Sequence, residues 1–69
     1  MTQKELLYVE DAIGHEANII SICEESIKNL QNEELISFLE SEVEIHKQTK
    51  EKLLSLLEEK VNEWSINNG

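Results

Sequence analysis

Three ionisable side chains lie in stripes of the sequence that are otherwise apolar, and they are the candidates for chemistry. Glu16 interrupts one such stripe, and His46 interrupts a second stripe further along the chain. Glu42 precedes His46 by one helical turn, so both lie on the same side of a helix. Because an unpaired charge in a helical core costs several kcal/mol, we expect Glu16 and His46 to contact each other.

Two interpretations of this contact are open. Helical bundles build metal sites from Glu and His on facing helices, and two copies each of Glu16 and His46 would supply four ligands suited to zinc or iron, with Glu42 as a further ligand. The alternative is a Glu–His hydrogen bond that fixes the register of the two helices. We favour the hydrogen bond, and the metal site is the second interpretation.

The other side chains give little support for catalysis. No serine is placed beside a histidine as a nucleophile, and a helical chain lacks the loops from which an oxyanion hole is built. Cys23 occupies an apolar position, as a packed thiol does, and a single cysteine cannot form a disulfide within the chain. We therefore expect a protein that is not an enzyme and has no cofactor.

The amino-acid composition excludes several classes of binding partner. The chain has 69 residues, with 15 acids against 6 lysines and a net charge of −9, so nucleic acid and anionic membranes are unfavourable partners. No apolar run approaches the ~18 residues of a membrane helix, and no leader pattern is evident, which predicts a cytoplasmic protein. Two glycines provide no phosphate-binding loop, and no small-molecule substrate is evident.

The spacing of apolar residues predicts an all-α single domain over residues 1–69. A Thr2–Glu5 capping box starts a first helix over about 3–30, a turn follows at about 30–33, and a second helix covers about 33–66 with Asn32 as its cap. The result is an antiparallel hairpin in which residues whose numbers sum to about 62 lie at the same height. Trp64 should then cover the N-terminal end of the first helix, at Leu6 and Val9.

Each apolar stripe is wider than one neighbouring helix can cover. In an isolated hairpin Ile19, Phe38, Ile45 and Leu54 would face water, and one seam would not offset the entropy lost on ordering the chain. The predicted solution is a homodimer in which two hairpins form a four-helix bundle. Its core is predicted to contain Ile13, Ile20, Ile27, Leu39, Val43, Leu53 and Leu57.

A family resemblance agrees with this architecture. The segment 7–13, then Glu16, the corner 31–35, the segment 46–48 and the pair Leu53–Leu54 resemble the small ferritin-like hairpins of spore-forming bacteria. The spore coat protein F type is most similar, and rubrerythrin-like and encapsulated-ferritin-like hairpins are more distant. The resemblance covers roughly residues 6–57 and implies a ferritin-like four-helix bundle.

The same resemblance implies a degenerate metal site. Ferritin-like hairpins carry a Glu on the first helix and Glu-x-x-His on the second, and these residues bind two irons. Glu16 matches the first position, whereas His46 stands where the second Glu would be and Thr49 where the His would be. The resemblance therefore implies the scaffold without the ferroxidase activity. It also implies a structural role associated with the spore.

Three functions follow as hypotheses. The first is a structural or protein-interaction module acting as a homodimeric bundle. The second is a metal-binding ferritin-like protein that uses Glu16, His46 and Glu42. The third is an acidic regulator that binds a basic surface on a partner protein, such as a DNA-binding or signalling protein.

Overall fold

The computed structural model describes the backbone of residues 1–68 and the side chains of residues 1–64. Over this range the chain forms two antiparallel α-helices, α1 (Gln3–Asn29) and α2 (Glu33–Asn68), joined by three residues. This confirms the all-α hairpin, with α2 ending two residues later than predicted. No helix among the described residues is long and apolar enough to cross a lipid bilayer.

The start of α1 is fixed by the predicted capping box. The Thr2 hydroxyl accepts a hydrogen bond from the Glu5 N–H at 3.0 Å, and the Glu5 carboxylate accepts one from the Thr2 N–H at 2.8 Å. The backbone and side-chain hydrogen bonds from Thr2 lower the pKa of Glu5, since they favour the charged carboxylate. A lowered pKa means that this contribution to stability is complete above the ordinary Glu range and is lost as the pH falls through the folded value.

The corner between the helices, like the start of α1, is formed by hydrogen bonds between residues close together in the sequence. The Leu30 N–H donates to the Ile27 carbonyl at 3.3 Å and closes α1, and Leu30 itself is extended. Asn32 then caps α2, because its side-chain oxygen accepts a hydrogen bond from the Leu35 N–H at 3.0 Å. Glu33 and Glu34 add negative charge to the first turn of α2, where the helix dipole favours it.

The helices pack along one stripe each, which we call the seam. Its most buried members are Ile20, at 7% exposure, and Val43, at 8%, and no other apolar side chain of the described residues is buried to this degree. Lys50 is half-buried at the position left open between His46 and Leu53. The seam comprises Leu6, Val9, Ile13, Glu16, Ile20, Cys23, Ile27 and Leu30 of α1 with Ile36, Leu39, Val43, His46, Lys50, Leu53 and Leu57 of α2.

All of the side chains predicted for a dimer core belong to this seam inside one chain. Ile20 and Val43 are buried and the other five, Ile13, Ile27, Leu39, Leu53 and Leu57, are half-buried. The four side chains expected to face water in a single hairpin do so: Ile19, Phe38, Ile45 and Leu54 are all exposed. One hairpin therefore buries a single stripe of each helix and leaves the rest of its apolar surface open.

Two further positions, Trp64 at the open end and Gly14 within α1, bear on how the two helices pack. Trp64 lines a groove at the open end of the hairpin together with Leu6 and Val61, yet it stays 55% exposed, so it covers this end only in part. A Cβ added at Gly14 would meet no atom within 4 Å. The glycine is therefore not required for a close approach of the two helices in the hairpin.

Asn32→Ala should lower the free energy of unfolding by about 1 kcal/mol, because the Leu35 N–H loses its cap. Urea unfolding followed by circular dichroism measures this change. Gln31→Ala, one residue earlier in the same corner, is the matched control and should change stability far less. Equal effects of the two substitutions would contradict the assignment of Asn32 as the cap.

Candidate functional site

The polar centre of the seam is a contact between the middle of α1 and the middle of α2. The Nδ1–H of His46 donates a hydrogen bond to the Glu16 carboxylate, as the shared height of the two residues predicted. An ionised carboxylate can only accept, so Nδ1 is the nitrogen that carries the hydrogen. The two side chains keep only 24% and 19% of their surface exposed, so each satisfies the other in a largely desolvated place.

Glu42 extends this contact along α2. Its carboxylate lies 3.6 Å from the His46 Nε2, one helical turn away, and its side chain is 32% exposed. Glu16, His46 and Glu42 thus form a continuous set of side chains, which we call the Glu–His–Glu row. Among the described side chains no buried polar atom lacks a hydrogen-bond partner, and Glu16 and His46, the two members of the row that lie in the seam, are paired with each other.

Within one hairpin the Glu–His–Glu row does not form a metal site. The two nitrogens of an imidazole point in opposite directions, and here each of them faces a different carboxylate. Zinc ligands have to converge to about 2.0–2.2 Å from one ion, whereas these carboxylates lie at opposite edges of the ring. Among the residues that the structure describes, no group of three or more His, Cys, Asp or Glu side chains could hold a metal ion.

Thr49, at the position where the resemblance would require a histidine, provides no ligand either. Its hydroxyl donates a hydrogen bond to the Ile45 carbonyl at 3.1 Å within α2. The predicted residues Glu16, His46 and Glu42 are thus brought together, with a hydrogen bond between Glu16 and His46 and a 3.6 Å contact between His46 and Glu42. Metal binding by them stays a prediction that requires the ligands of a second copy.

The largest feature outside the seam is an exposed apolar surface. Each residue that directly precedes a seam residue is rotated by about 100° from it, in the same sense on both helices. Because the helices run antiparallel, these two stripes point to the same side of the hairpin. Their apolar members, which we call the apolar face, are Tyr8, Ala12, Ile19 and Ile22 of α1 with Leu35, Phe38, Ile45 and Leu56 of α2.

The residues that directly follow seam residues form the opposite side of the hairpin. An ion pair between Lys47 of α2 and Glu24 of α1, at 3.9 Å, spans the seam on this side. Leu7 of α1 and Leu54 of α2 are its exposed large apolar residues, and both lie towards the open end of the hairpin. Its charged members, the charged face, are Glu10, Glu24, Lys28, Glu40, Glu44, Lys47, Glu51 and Glu58.

The two faces differ in their content of charged residues by more than the composition of the chain would lead one to expect. Between Tyr8 and Leu56, the stripes of the apolar face contain only two formally charged residues, Glu42 and Lys52, in a chain with 15 acids. The other ionisable group there, His15, is exposed and lies 3.6 Å from the Asp11 carboxylate. An apolar face kept nearly free of carboxylates is typical of a contact surface.

Comparison of the chain with protein-family models, with curated proteins and with solved structures gives no match. The ferritin-like resemblance therefore stays a prediction from short motifs. A function for this chain has to be inferred from the Glu–His–Glu row and from the two faces.

His46→Leu should lower the free energy of unfolding by about 1–3 kcal/mol, because Glu16 loses its donor while it stays largely buried. The double variant Glu16→Leu/His46→Leu removes both polar groups and should recover this loss. Urea unfolding measures both values. The control is Asn18→Leu, because Asn18 is an exposed residue of α1 outside the seam and both faces, and it should change stability by less than about 0.5 kcal/mol. A His46→Leu effect equally small would show that the contact contributes nothing.

Proposed function

We propose that this chain is a non-enzymatic interaction module that pairs with a second copy of itself, through the apolar face, to form a four-helix bundle. The observation that carries the proposal is the segregation of side chains. Ile22 and Phe38 stay 65% and 61% exposed on a face with almost no carboxylates, whereas the opposite face carries most of the negative charge of the seam's flanks.

The surface area of the hairpin supports an unfilled interface. The chain exposes 5497 Å². A globular monomer of its 8.0 kDa mass would expose about 4,500 Å², so the hairpin exceeds that value by about 1,000 Å². A standard protein interface buries about 800 Å² on each partner, which is close to this excess.

The small core supports the same proposal. Ile20 and Val43 are the buried apolar side chains of the described residues, and the molecule is a thin rod of 53 × 16 × 12 Å. Chains below about 70–80 residues rarely gain more than ~3–5 kcal/mol from one core, and they often reach stability by oligomerisation. Face-to-face packing of two hairpins would cover the half-buried seam residues of both copies.

The Glu–His–Glu row supports a structural role for its members over a catalytic one. Both ring nitrogens of His46 face carboxylates, and neither faces a hydroxyl or thiol that it could activate. Together with the resemblance to spore-coat-type hairpins, this favours a scaffold protein, and the resemblance would associate it with the spore.

One alternative has an observation of its own. The charged face could attract a basic surface on another protein, as an acidic regulator would, since like charges are concentrated there. Capture of a basic partner would then weaken steeply with salt, because exposed charges are screened within about 8–10 Å at physiological ionic strength. Self-association through the apolar face should be far less sensitive to salt.

Light scattering coupled to size exclusion at micromolar concentration should give about 16 kDa, twice the chain mass of 8.0 kDa. Ile22→Asp should shift this value to that of a single chain, because it places a charge on the apolar face. Leu7→Asp is the matched control, since Leu7 lies on the same helix at 64% exposure, against 65% for Ile22, but on the opposite side. A monomeric wild type, or equal effects of both substitutions, would contradict the proposal.

The metal hypothesis has a separate test. Native mass spectrometry of protein purified without chelator should show the dimer without zinc or iron, since Glu16 and His46 are already hydrogen-bonded to each other and Glu42 lies at the opposite edge of the ring. One metal ion per dimer, lost in the His46→Leu variant, would instead favour the ferritin-like metal-binding function.

A further inference from the structure

We infer that the two-fold axis of the dimer runs across the helices, at the height of the Glu16–His46 contact, so that the corners of the two hairpins lie at opposite ends of the bundle. This inference rests on the proposed function, because it specifies the geometry of the same interface. Two hairpins stacked by their apolar faces have only two symmetric arrangements, with the axis along the helices or across them.

The two charged residues of the apolar face distinguish these arrangements. Glu42 and Lys52 have opposite signs and lie ten residues apart on α2. An axis across the helices places α2 antiparallel to α2 of the second copy. Glu42 of each copy then lies opposite Lys52 of the other whenever the axis passes midway between them, near residue 47.

The middle of the part where α1 and α2 lie side by side is at the same height. The helix α1 spans Gln3–Asn29 and its central residue is Glu16, which is hydrogen-bonded to His46. His46 is next to the midpoint of the Glu42–Lys52 pair. Overlap of the two-helix parts of both hairpins across this axis therefore brings both opposite-charge pairs into register, and the end of each α2 extends beyond the overlap.

The apolar side chains of α2 agree with the same register. An axis near residue 47 places Phe38 opposite Leu56 of the second copy, and Ile45 opposite Thr49. Phe38, Ile45 and Leu56 are all exposed in the single hairpin and would be covered together. The charge pairs between the two α2 helices and the burial of their apolar side chains thus favour the same position of the axis, near residue 47.

An axis along the helices has the opposite consequence for charge. It stacks α2 on α1 of the second copy at equal height, so Glu42 would lie between Ile19 and Ile22 of that copy. Lys52 would lie beside Tyr8 and Ala12, far from any carboxylate of the face. Among the described residues Lys52 has no ion-pair partner within its own hairpin, and this arrangement would supply none.

The ion pairs are tested by charge reversal. Lys52→Glu should raise the dimer dissociation constant by about tenfold or more, because it places carboxylates opposite Glu42. Lys47→Glu changes the net charge equally but lies on the charged face, and it should change the constant little. A mixture of Glu42→Lys chains with Lys52→Glu chains should form heterodimers in preference to either homodimer, since both pairs then have opposite charges. Equal effects of Lys52→Glu and Lys47→Glu would overturn the pairing.

The axis itself is tested by a distance between corners, which does not depend on the folding of the Glu42→Lys variant. Spin labels attached to Gln31→Cys in a Cys23→Ala background report the distance between the two copies by pulsed electron paramagnetic resonance. An axis across the helices at residue 46 predicts about 45 Å, from 15 residues at 1.5 Å each on both sides. An axis along the helices predicts about 20 Å or less, since the corners then share one end and packed helices are about 10 Å apart.

The mass and the distance between corners together distinguish a failure of the axis from a failure of the dimer. A dimer of about 16 kDa with the long distance supports the inference, whereas the same dimer with the short distance overturns the inference and leaves the proposed function intact. A labelled chain that stays at 8.0 kDa and shows no distance between copies overturns the proposed function, and the inference with it.

Discussion

A helix that packs against one neighbour can bury only one stripe of its surface, and the hairpin is shaped by this limit. The stripe on α1 that faces α2 contains Ile20, and the facing stripe contains Val43, which are the buried apolar side chains of the described residues. Most of the apolar residues one position earlier along each helix stay exposed in the described part of the chain. The exposed apolar surface is therefore a geometric result of having only two helices, and a second pair of helices is the simplest way to cover it.

The same limit explains why a charged pair can be tolerated at the centre of the seam. The Glu16–His46 contact is enclosed only on the sides formed by its own hairpin, so both side chains keep some access to water. Its desolvation cost is lower than in a fully enclosed core, and the hydrogen bond offsets much of what remains. What the pair adds is position: sliding one helix by a turn would break the hydrogen bond and leave two partly buried polar groups unpaired.

Much of this architecture could be predicted from particular residues. The Thr2–Glu5 box and the Asn32 cap are local hydrogen bonds, and the equal height of Glu16 and His46 follows from the position of the corner. The grouping of the exposed apolar residues could not be predicted in the same way. The sequence predicts that Leu54 and Phe38 both face water, but they lie on opposite sides of the hairpin. The side of each residue can be assigned only when every seam position of α2 is known. One of these positions is Lys50, which the apolar pattern does not reveal because its side chain is charged.

The charged face has a consequence for the size of any assembly. Pairing through the apolar face would bury the exposed apolar residues of both copies. The carboxylate-rich charged faces would then form the outer surface of the dimer. With a net charge of −9 on each chain, two such bundles would repel each other at close range. Association would then stop at the dimer, because no apolar face is left exposed. The negative charge on the outer surface would disfavour fibres and larger aggregates.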